Sequence, residues 1–379
     1  MPRVSVIMPA YNCEGYIEAA IESVLNQTFQ DFEFVIVDDC SNDTTPEIIQ
    51  AYSERCSDRI LFIRHKTNLG AAAARNTAIQ NSSSNILMLA DADDIQYRNR
   101  LETLYREFLK NDVDMIFNDC EMIDHSGRSL SRNKGYPSEL TNENIVLHLL
   151  KRNHLWIGLS MLRKNEDLIF DTSLPNAEDF ELFLRLCLKG YKFKIVNQSL
   201  TSYRVHENNI SGNGYISNQS VKTILSRLDL QKLYIELAQR HGEFEASVAI
   251  AAAYAWIDEP EGVIKLLEGK PFSLEGYFAL AMSYFKLGQH SESLRVFRLL
   301  SNHTSNPAVL NNLSVISFMM DSNNEKAREL LNEALSVQPE YQDAARNLEY
   351  LERGEIDKLK LTERPLREQV VHSKHYKLD

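Results

Sequence analysis

An α/β domain with a mainly parallel sheet flanked by helices, followed by an all-α region, is the fold predicted for this 379-residue chain. Three observations carry that reading. Short apolar runs alternate with helical stripes through the first half. Several of those runs stop in polar or acidic residues, as strands do where a sheet meets solvent at a ligand site. Beyond residue 219 the strand signals cease, and a 34-residue period emerges in the last third.

The elements follow in order. Val4 to Met8 is continuously apolar and reads as a buried strand. Ile17, Ala20, Ile21, Val24 and Leu25 form a helical stripe. Phe34 to Val37 is a second strand ending in Asp38-Asp39. Pro46 suits the first turn of the next helix, with Thr45 as its expected N-cap. Leu61 to Ile63 is a third strand, and the Ala-rich segment Ala71 to Ile79 has high helix propensity. Ile86 to Leu89 is a fourth strand, running into Asp91-Ala92-Asp93-Asp94 ahead of a helix near Asn99. Met115 to Phe117 is a fifth.

The segment 208–219 is rich in Gly, Asn and Ser and reads as a loop at a domain boundary. After it, Ala281, Tyr284, Ser293, Phe297 and Leu300 recur 34 positions later as Val315, Phe318, Ala327, Leu331 and Ala334, with Pro339 closing the second unit. Small residues at matched helix contacts, at that period, are the tetratricopeptide signature. Ala251 to Leu267 reads as a degenerate earlier copy and Asp343 to Leu351 as a capping helix. The plainer alternative is a helical bundle with chance spacing. The expected organisation is residues 1–215, a connection over 216–240, helical repeats over 241–353 and a tail over 354–379.

Composition narrows the function. A net charge of −12 argues against general nucleic-acid affinity, which needs clustered Lys and Arg. No signal peptide is evident, and the longest near-apolar stretch, Val248 to Ile257, falls well short of the roughly 20 residues that span a bilayer. No transmembrane segment is expected. The expected location is the cytoplasm, with any membrane contact peripheral, at the inner face. Cys13, Cys40, Cys56, Cys120 and Cys187 are scattered without a CxxC pair, which fits a reducing compartment and no zinc site.

The acids at Asp91, Asp93 and Asp94 concentrate charge that wants neutralising, and a hard divalent cation does this with oxygen ligands. The alternative is an acidic turn leading into a helix. Asp39 is either an acceptor for a uracil or thymine N3–H or an Asx-turn residue. Arg75, on the small-residue helix after Asn68-Leu69-Gly70, is either a bidentate phosphate ligand or a solvated arginine. Glu178 and Asp179 open an amphipathic helix, where acids are favoured by the dipole or serve catalysis. A lone histidine such as His206 is more often structural than a ligand.

Taken in order, Pro9-Ala10-Tyr11-Asn12, Val37-Asp38-Asp39-Cys40-Ser41, Asn68-Leu69-Gly70 with Arg75-Asn76, Asp91-Ala92-Asp93-Asp94, Glu178-Asp179 and Tyr203-Arg204-Val205-His206 resemble glycosyltransferase family 2, with the GT-A fold, over roughly residues 1–215. The resemblance implies roles. Pro9, Ala10 and Tyr11 would line the nucleotide base and ribose, and Asp39 would contact the base. Arg75 would lie near the nucleotide, Asp91 would touch ribose or donor sugar, and Asp93 would bind Mn²⁺ or Mg²⁺ with His206. Asp179 would be the catalytic base of an inverting enzyme. A nucleotide-sugar donor, with UDP favoured, and a glycan or lipid-linked glycan acceptor are then expected, in bacterial surface polysaccharide synthesis. The segment Trp156 to Ser160 falls where the family has a small-residue loop, but the match is loose. The helical repeats would bind a protein partner or drive self-association. The rival reading is a nucleotide-sugar-binding scaffold acting through those repeats. A nucleotidyltransferase would want a Gly-rich basic phosphate loop near the N-terminus, and none is evident.

Overall fold

A computed structural model of the chain describes residues 1–206 and 214–363. The core of the loop expected over 208–219 and the tail beyond residue 363 lie outside the described residues. The chain divides into two compact units, the first ending at Val221 and the second beginning at Lys222.

In the first unit, β1 (Val4–Ala10) pairs in parallel with β2 (Phe32–Asp38) on one side and with β4 (Ile86–Leu89) on the other. β3 (Ile60–Arg64) extends this parallel half beyond β2. Register aligns the strand ends: Ala10 faces Asp38, and Ile7 faces Leu89. Asp39 and Asp91 therefore emerge on either side of the end of β1. Both faces of β1 are buried, which explains its unbroken apolar run. α1 (Ile17–Leu25) buries Ile17, Ala20, Ile21 and Val24 of the predicted stripe, and Leu25 is half-buried at its end. Each of the three larger buried side chains contributes about 1.5–3 kcal/mol by leaving water.

α2 (Thr45–Arg55) has Pro46 in its first turn, but its cap is Thr44, one residue before the expected one. Thr45 instead accepts from the Cys13 backbone N–H at 2.9 Å, tying α2 to the turn after β1. Gly70, at φ +88°, turns the chain into α3 (Ala71–Asn81), a conformation that a side chain would strain.

Beyond β4 the sheet becomes mixed. β8 (Ser160–Arg163) runs antiparallel to both β4 and β6 (Met115–Ile123). β9 (Phe193–Arg204) lies parallel to β6, and β5 (Ile95–Gln96) and β7 (Ser129–Lys134) pair antiparallel with β9 and β6. The order is β3-β2-β1-β4-β8-β6-β9-β5, with β7 on β6. α4 (Arg100–Lys110), α5 (Ile145–Lys151) and α6 (Glu178–Leu188) complete the unit. α7 (Gly214–Ser226) carries the boundary between the units.

The second unit is helical among the described residues. α8 (Leu230–His241), α9 (Glu243–Ile257) and α10 (Pro260–Leu267) precede α11 (Leu274–Lys286) and α12 (His290–Ser301). α13 (Pro307–Asp321), α14 (Asn324–Val337) and α15 (Gln342–Arg353) follow. The small residues of the 34-residue period sit at helix contacts. Ser293 of α12 donates to the Ala281 carbonyl of α11 at 2.7 Å, and Ser314 of α13 donates to the Ala327 carbonyl of α14 at 2.8 Å.

Candidate active site

Three parallel strand ends and the N-terminus of α6 form the site. After β1, Pro9 and buried Ala10 lead to Tyr11, which is 47% exposed. The Asn12 backbone N–H donates to Ser41 Oγ, and Asn12 Oδ1 accepts from the Asn42 N–H, both at 2.9 Å. These bonds stitch the turn after β1 to the one after β2.

Asp39 is buried and organises the neighbouring loop. Its Oδ1 accepts from Leu69 N–H at 2.9 Å and its Oδ2 from Gly70 N–H at 2.7 Å. His65 Nδ1 lies 2.7 Å from Oδ1, and its Nε2 lies 2.9 Å from Thr77 Oγ1. A carboxylate offers about four lone-pair sites, so acceptor capacity for one further donor remains. Its first task here is to fix the loop that opens α3.

The acids after β4 are matched by arginines. Arg75 on α3 is buried, with Nη2 3.1 Å from Asp91 Oδ1 and Nη1 2.5 Å from Glu178 Oε1. It thereby bridges the end of β4 to the start of α6. Its Nε has no partner. Arg100, at the head of α4, is fully buried beneath the cluster. It donates to Asn118 Oδ1 at 3.0 Å, to the Leu89 carbonyl at 3.1 Å, to the Gly158 carbonyl at 2.8 Å and to Gln96 Oε1. Burial pushes its guanidinium down to about 10, while Asp94 and Asp91 pull the other way. Arg204 at the end of β9 donates to the Asp93 carbonyl at 2.8 Å through Nε, and its backbone N–H donates to Asp94 Oδ1 at 2.9 Å.

The three aspartates thus differ. Asp91 is held above the ordinary carboxylate range by burial, against the pull of Arg75. Asp94 lies well above it, through burial and the neighbouring Asp93 and Asp91, and its Oδ2 has no partner. Asp93 is partly exposed, and its Oδ2 lies 2.9 Å from His206 Nε2. The His206 ring stacks on Tyr16 at 4.9 Å.

Gly158 explains why the Trp156–Ser160 segment matters. A Cβ at this position would lie 2.3 Å from Asp91 Oδ2, so only glycine lets the carboxylate approach. The single residue type at 158 was the available signal, and the loose match of its neighbours obscured it.

Asp179 lies in the first turn of α6, after Ala177 in the left-handed conformation at φ 60°. Its Oδ1 accepts from the Phe180 N–H at 2.6 Å, and Asn153 Nδ2 lies 3.4 Å from Oδ2. Burial, then the adjacent Glu178 charge, pushes its carboxyl up to about 7. Asp91 adds to that push and Arg75 opposes it. A carboxylate poised near neutrality is suited to general-base work. Lys134 of β7 also senses Asp179; burial and Arg152 drive its ammonium well down.

Arg75 thus pairs with Asp91, whereas the Asp93 carboxylate faces His206 and Arg204 Nε reaches the Asp93 carbonyl. Among the described residues no cluster of three or more His, Cys, Asp or Glu side chains forms a closed metal cage. Asp93 and His206 nevertheless fit a cation that arrives with its own oxygen ligands, because Mg²⁺-type sites use one or two protein groups plus phosphate and water. Glu178, Arg100, Arg204, His65 and Gly158 received no individual role from the sequence, because their roles come from tertiary contacts.

The strand ends thus gather paired acids and arginines beside a carboxyl raised toward neutrality at a helix start, at the edge of the sheet where ligands of open α/β folds sit. The chain belongs to glycosyl transferase family 2, which it matches over residues 5–169, and it is a glycosyltransferase. It is 34% identical over 239 residues to an uncharacterized glycosyltransferase of Methanocaldococcus jannaschii, covering 62% of this chain and 77% of that protein. It is 31% identical over 216 residues to the Escherichia coli UDP-Glc:alpha-D-GlcNAc-diphosphoundecaprenol beta-1,3-glucosyltransferase WfgD, covering 56% of this chain and 81% of that protein. In fold it is similar to S. aureus TarS 1-349, solved in complex with UDP-GlcNAc, at a TM-score of 0.51 and 19% identity, over 93% of this chain and 92% of that one. Among the described residues no helix is long and apolar enough to cross a membrane.

Proposed function

We propose that the chain is an inverting, metal-dependent glycosyltransferase that moves a sugar from a UDP-sugar to a hydroxyl of a glycan or lipid-linked glycan, in surface polysaccharide synthesis. The observation that supports this best is the chain Asp179, Glu178, Arg75, Asp91. It joins a carboxyl near neutrality to the strand ends where a nucleotide would lie. Pro9, Ala10 and Tyr11 would cradle the base and ribose, with Asp39 contributing its remaining acceptor site. Asp91 would meet the ribose or sugar, and Arg75 would hold Asp91 in place near the phosphates.

Asp93 and His206 would hold Mn²⁺ or Mg²⁺. The cation, when bound, would neutralise charge on the leaving diphosphate. Asp179 would take the proton of the acceptor hydroxyl, and that oxygen would attack the anomeric carbon from the face opposite the diphosphate. The nucleophile's proton ends on Asp179 and the bonding pair leaves with the diphosphate, so the anomeric configuration inverts.

Residues 1–215 would carry this activity. The helices over 241–353 would be tetratricopeptide-like and would dock a partner or a second copy. A relative such as WfgD, named for a UDP-Glc donor and a diphosphoundecaprenol-linked acceptor, supports the donor and acceptor classes. The test is a thermal-shift screen of UDP-, dTDP- and GDP-sugars with Mn²⁺, followed by product stereochemistry with the donor that binds. A UDP-sugar shift lost on chelation, and an inverted product, are expected. Retained configuration, or full turnover after chelation, contradicts the reading.

A further inference from the structure

The helical unit holds a length of its own chain by the main chain. After α15 and a short helical turn (Ile356–Lys358), residues 359–363 form neither helix nor strand. Leu359 leaves the turn extended, at φ −59° and ψ 131°. Asn347 of α15 then reads both backbone groups of Lys360. Its Oδ1 accepts from the Lys360 N–H at 2.9 Å and its Nδ2 donates to the Lys360 carbonyl at 2.7 Å. Asn312 of α13 treats Thr362 the same way, accepting at 2.7 Å and donating at 2.8 Å. Asn311 joins the two readers: its Oδ1 accepts from Asn347 Nδ2 at 2.8 Å, and its Nδ2 lies 3.3 Å from both the Lys360 carbonyl and Thr362 Oγ1.

Side chains contribute at alternate points. Leu359 and Leu361 pack against the helical core, while Lys360 is exposed. The Thr362 hydroxyl donates to Asp343 Oδ2 at 2.7 Å and lies 2.7 Å from Tyr341 Oη. Asn311, Asn312 and Asn347 are at most 1% exposed. A helix face that needed only an apolar cover would not carry three buried amides, because each costs free energy unless its bonds are made. Paired acceptor and donor bonds to a single residue match the edge of an extended strand. They take any side chain that points outward, as Lys360 does.

We propose that the asparagine-lined face of α13 and α15 is a binding groove for an extended protein segment of the pattern Leu-x-Leu-Thr. Residues 359–362 occupy it in cis, and a partner protein presenting such a segment displaces them. The groove recognises main-chain groups at two alternate residues, two leucines and one hydroxyl.

The test uses the full chain with Lys360→Pro and Thr362→Pro together. Proline removes the two N–H donors while accepting an extended backbone. The probe is a labelled peptide of residues 356–363, followed by fluorescence anisotropy. Saturable binding to the double variant is expected, at least about tenfold tighter than to the unsubstituted chain, whose groove is filled. Adding Asn312→Ala should abolish binding. So should N-methylation of the peptide at its Lys360 and Thr362 positions, whereas Lys360→Gln in the peptide should leave it intact. A folded double variant that ignores the peptide, or binding that survives N-methylation, overturns the proposal. If the double variant loses its cooperative melt, hydrogen exchange on the unsubstituted chain decides. Excess peptide should speed exchange at the Lys360 and Thr362 amides, and unchanged rates overturn the proposal.

Discussion

The two units bury polar groups in opposite ways. At the strand ends of the first unit the interior is ionic: Asp91, Asp94, Glu178 and Asp179 face Arg75 and Arg100, and Arg75 Nε and Asp94 Oδ2 remain without partners. At the face of α13 and α15 the buried network is built of amides and hydroxyls, with Asn311, Asn312, Asn347 and Thr362 closed on one another, on backbone and, at its half-buried rim, on the Asp343 carboxylate. Buried ions shift one another's proton affinities and keep unmatched atoms, which suits chemistry. A closed amide network perturbs no charge and specifies a shape instead. On the proposals above, the contrast would separate a part that reacts from a part that recognises.

The strongest way to break this contrast is Arg100→Leu. The guanidinium is fully buried and makes four hydrogen bonds, and it is the cation beneath Asp94 and Asp91. Its loss strands two buried backbone carbonyls and two buried side-chain amide oxygens and removes the positive charge that acts on Asp94 and Asp91, at a cost of about 3–5 kcal/mol. Denaturant unfolding should show the first unit destabilised by that amount, with transferase activity lost. A change below about 1 kcal/mol would mean that the cluster is not held by this charge.

Asp179→Asn comes next and works in the opposite direction on stability. Turnover should fall by roughly 10²–10⁴ while donor affinity is kept. The unsubstituted carboxyl is raised to about 7, so between the ordinary carboxylate range and about pH 7 the folded state binds the extra proton. Stability contributed by this group is therefore full at low pH and declines as pH rises through that window. The amide cannot ionise, so the variant should match the parent near pH 4 and melt higher above pH 7, by about 2–4 kcal/mol. Parent turnover should climb through the same window. Equal melting temperatures at both pH values would remove the ionic strain from this residue.

Much of the parallel half of the fold was legible. Val4 to Met8, Phe34 to Val37 and Ile86 to Leu89 are runs buried on both faces, and local sequence is enough to see them. β8 was not legible, because Ser160–Arg163 is four residues long and its antiparallel place between β4 and β6 is set by partners far away in sequence. The site divides in the same way. Asp91 and Asp93 stand at a strand end and advertise themselves. That Arg75 meets Asp91 and Glu178 together depends on α3, β4 and α6 converging, which no spacing in the chain records. Arg100 reads as an ordinary helix-start residue until its burial is known.

Gly158→Ala tests how tightly the ionic site is packed. The added Cβ would meet Asp91 Oδ2 at 2.3 Å, so the carboxylate must move off its bond to Arg75. Overpacking of this kind costs about 1–3 kcal/mol. Donor affinity should weaken more than the catalytic step, measured as a rise in KM with a smaller fall in kcat. An unchanged KM would show that Asp91 does not meet the donor.

Ser314→Ala probes the neutral side at its smallest unit. Its hydroxyl donates to the Ala327 carbonyl, as that of Ser293 does to the Ala281 carbonyl in the preceding helix pair. Each carbonyl belongs to a helix and has its own backbone donor available, so removing one hydroxyl strands no charge. The cost should be about 0.5–1.5 kcal/mol for either serine. Because no ion is involved, the loss should be the same at pH 5 and pH 8 and in low or high salt, and transfer to a soluble acceptor should be untouched. A pH-dependent loss at Ser314 would mean that the helical interior is coupled to titrating groups after all, and the division between an ionic reacting interior and a neutral recognising one would fail at its simplest position.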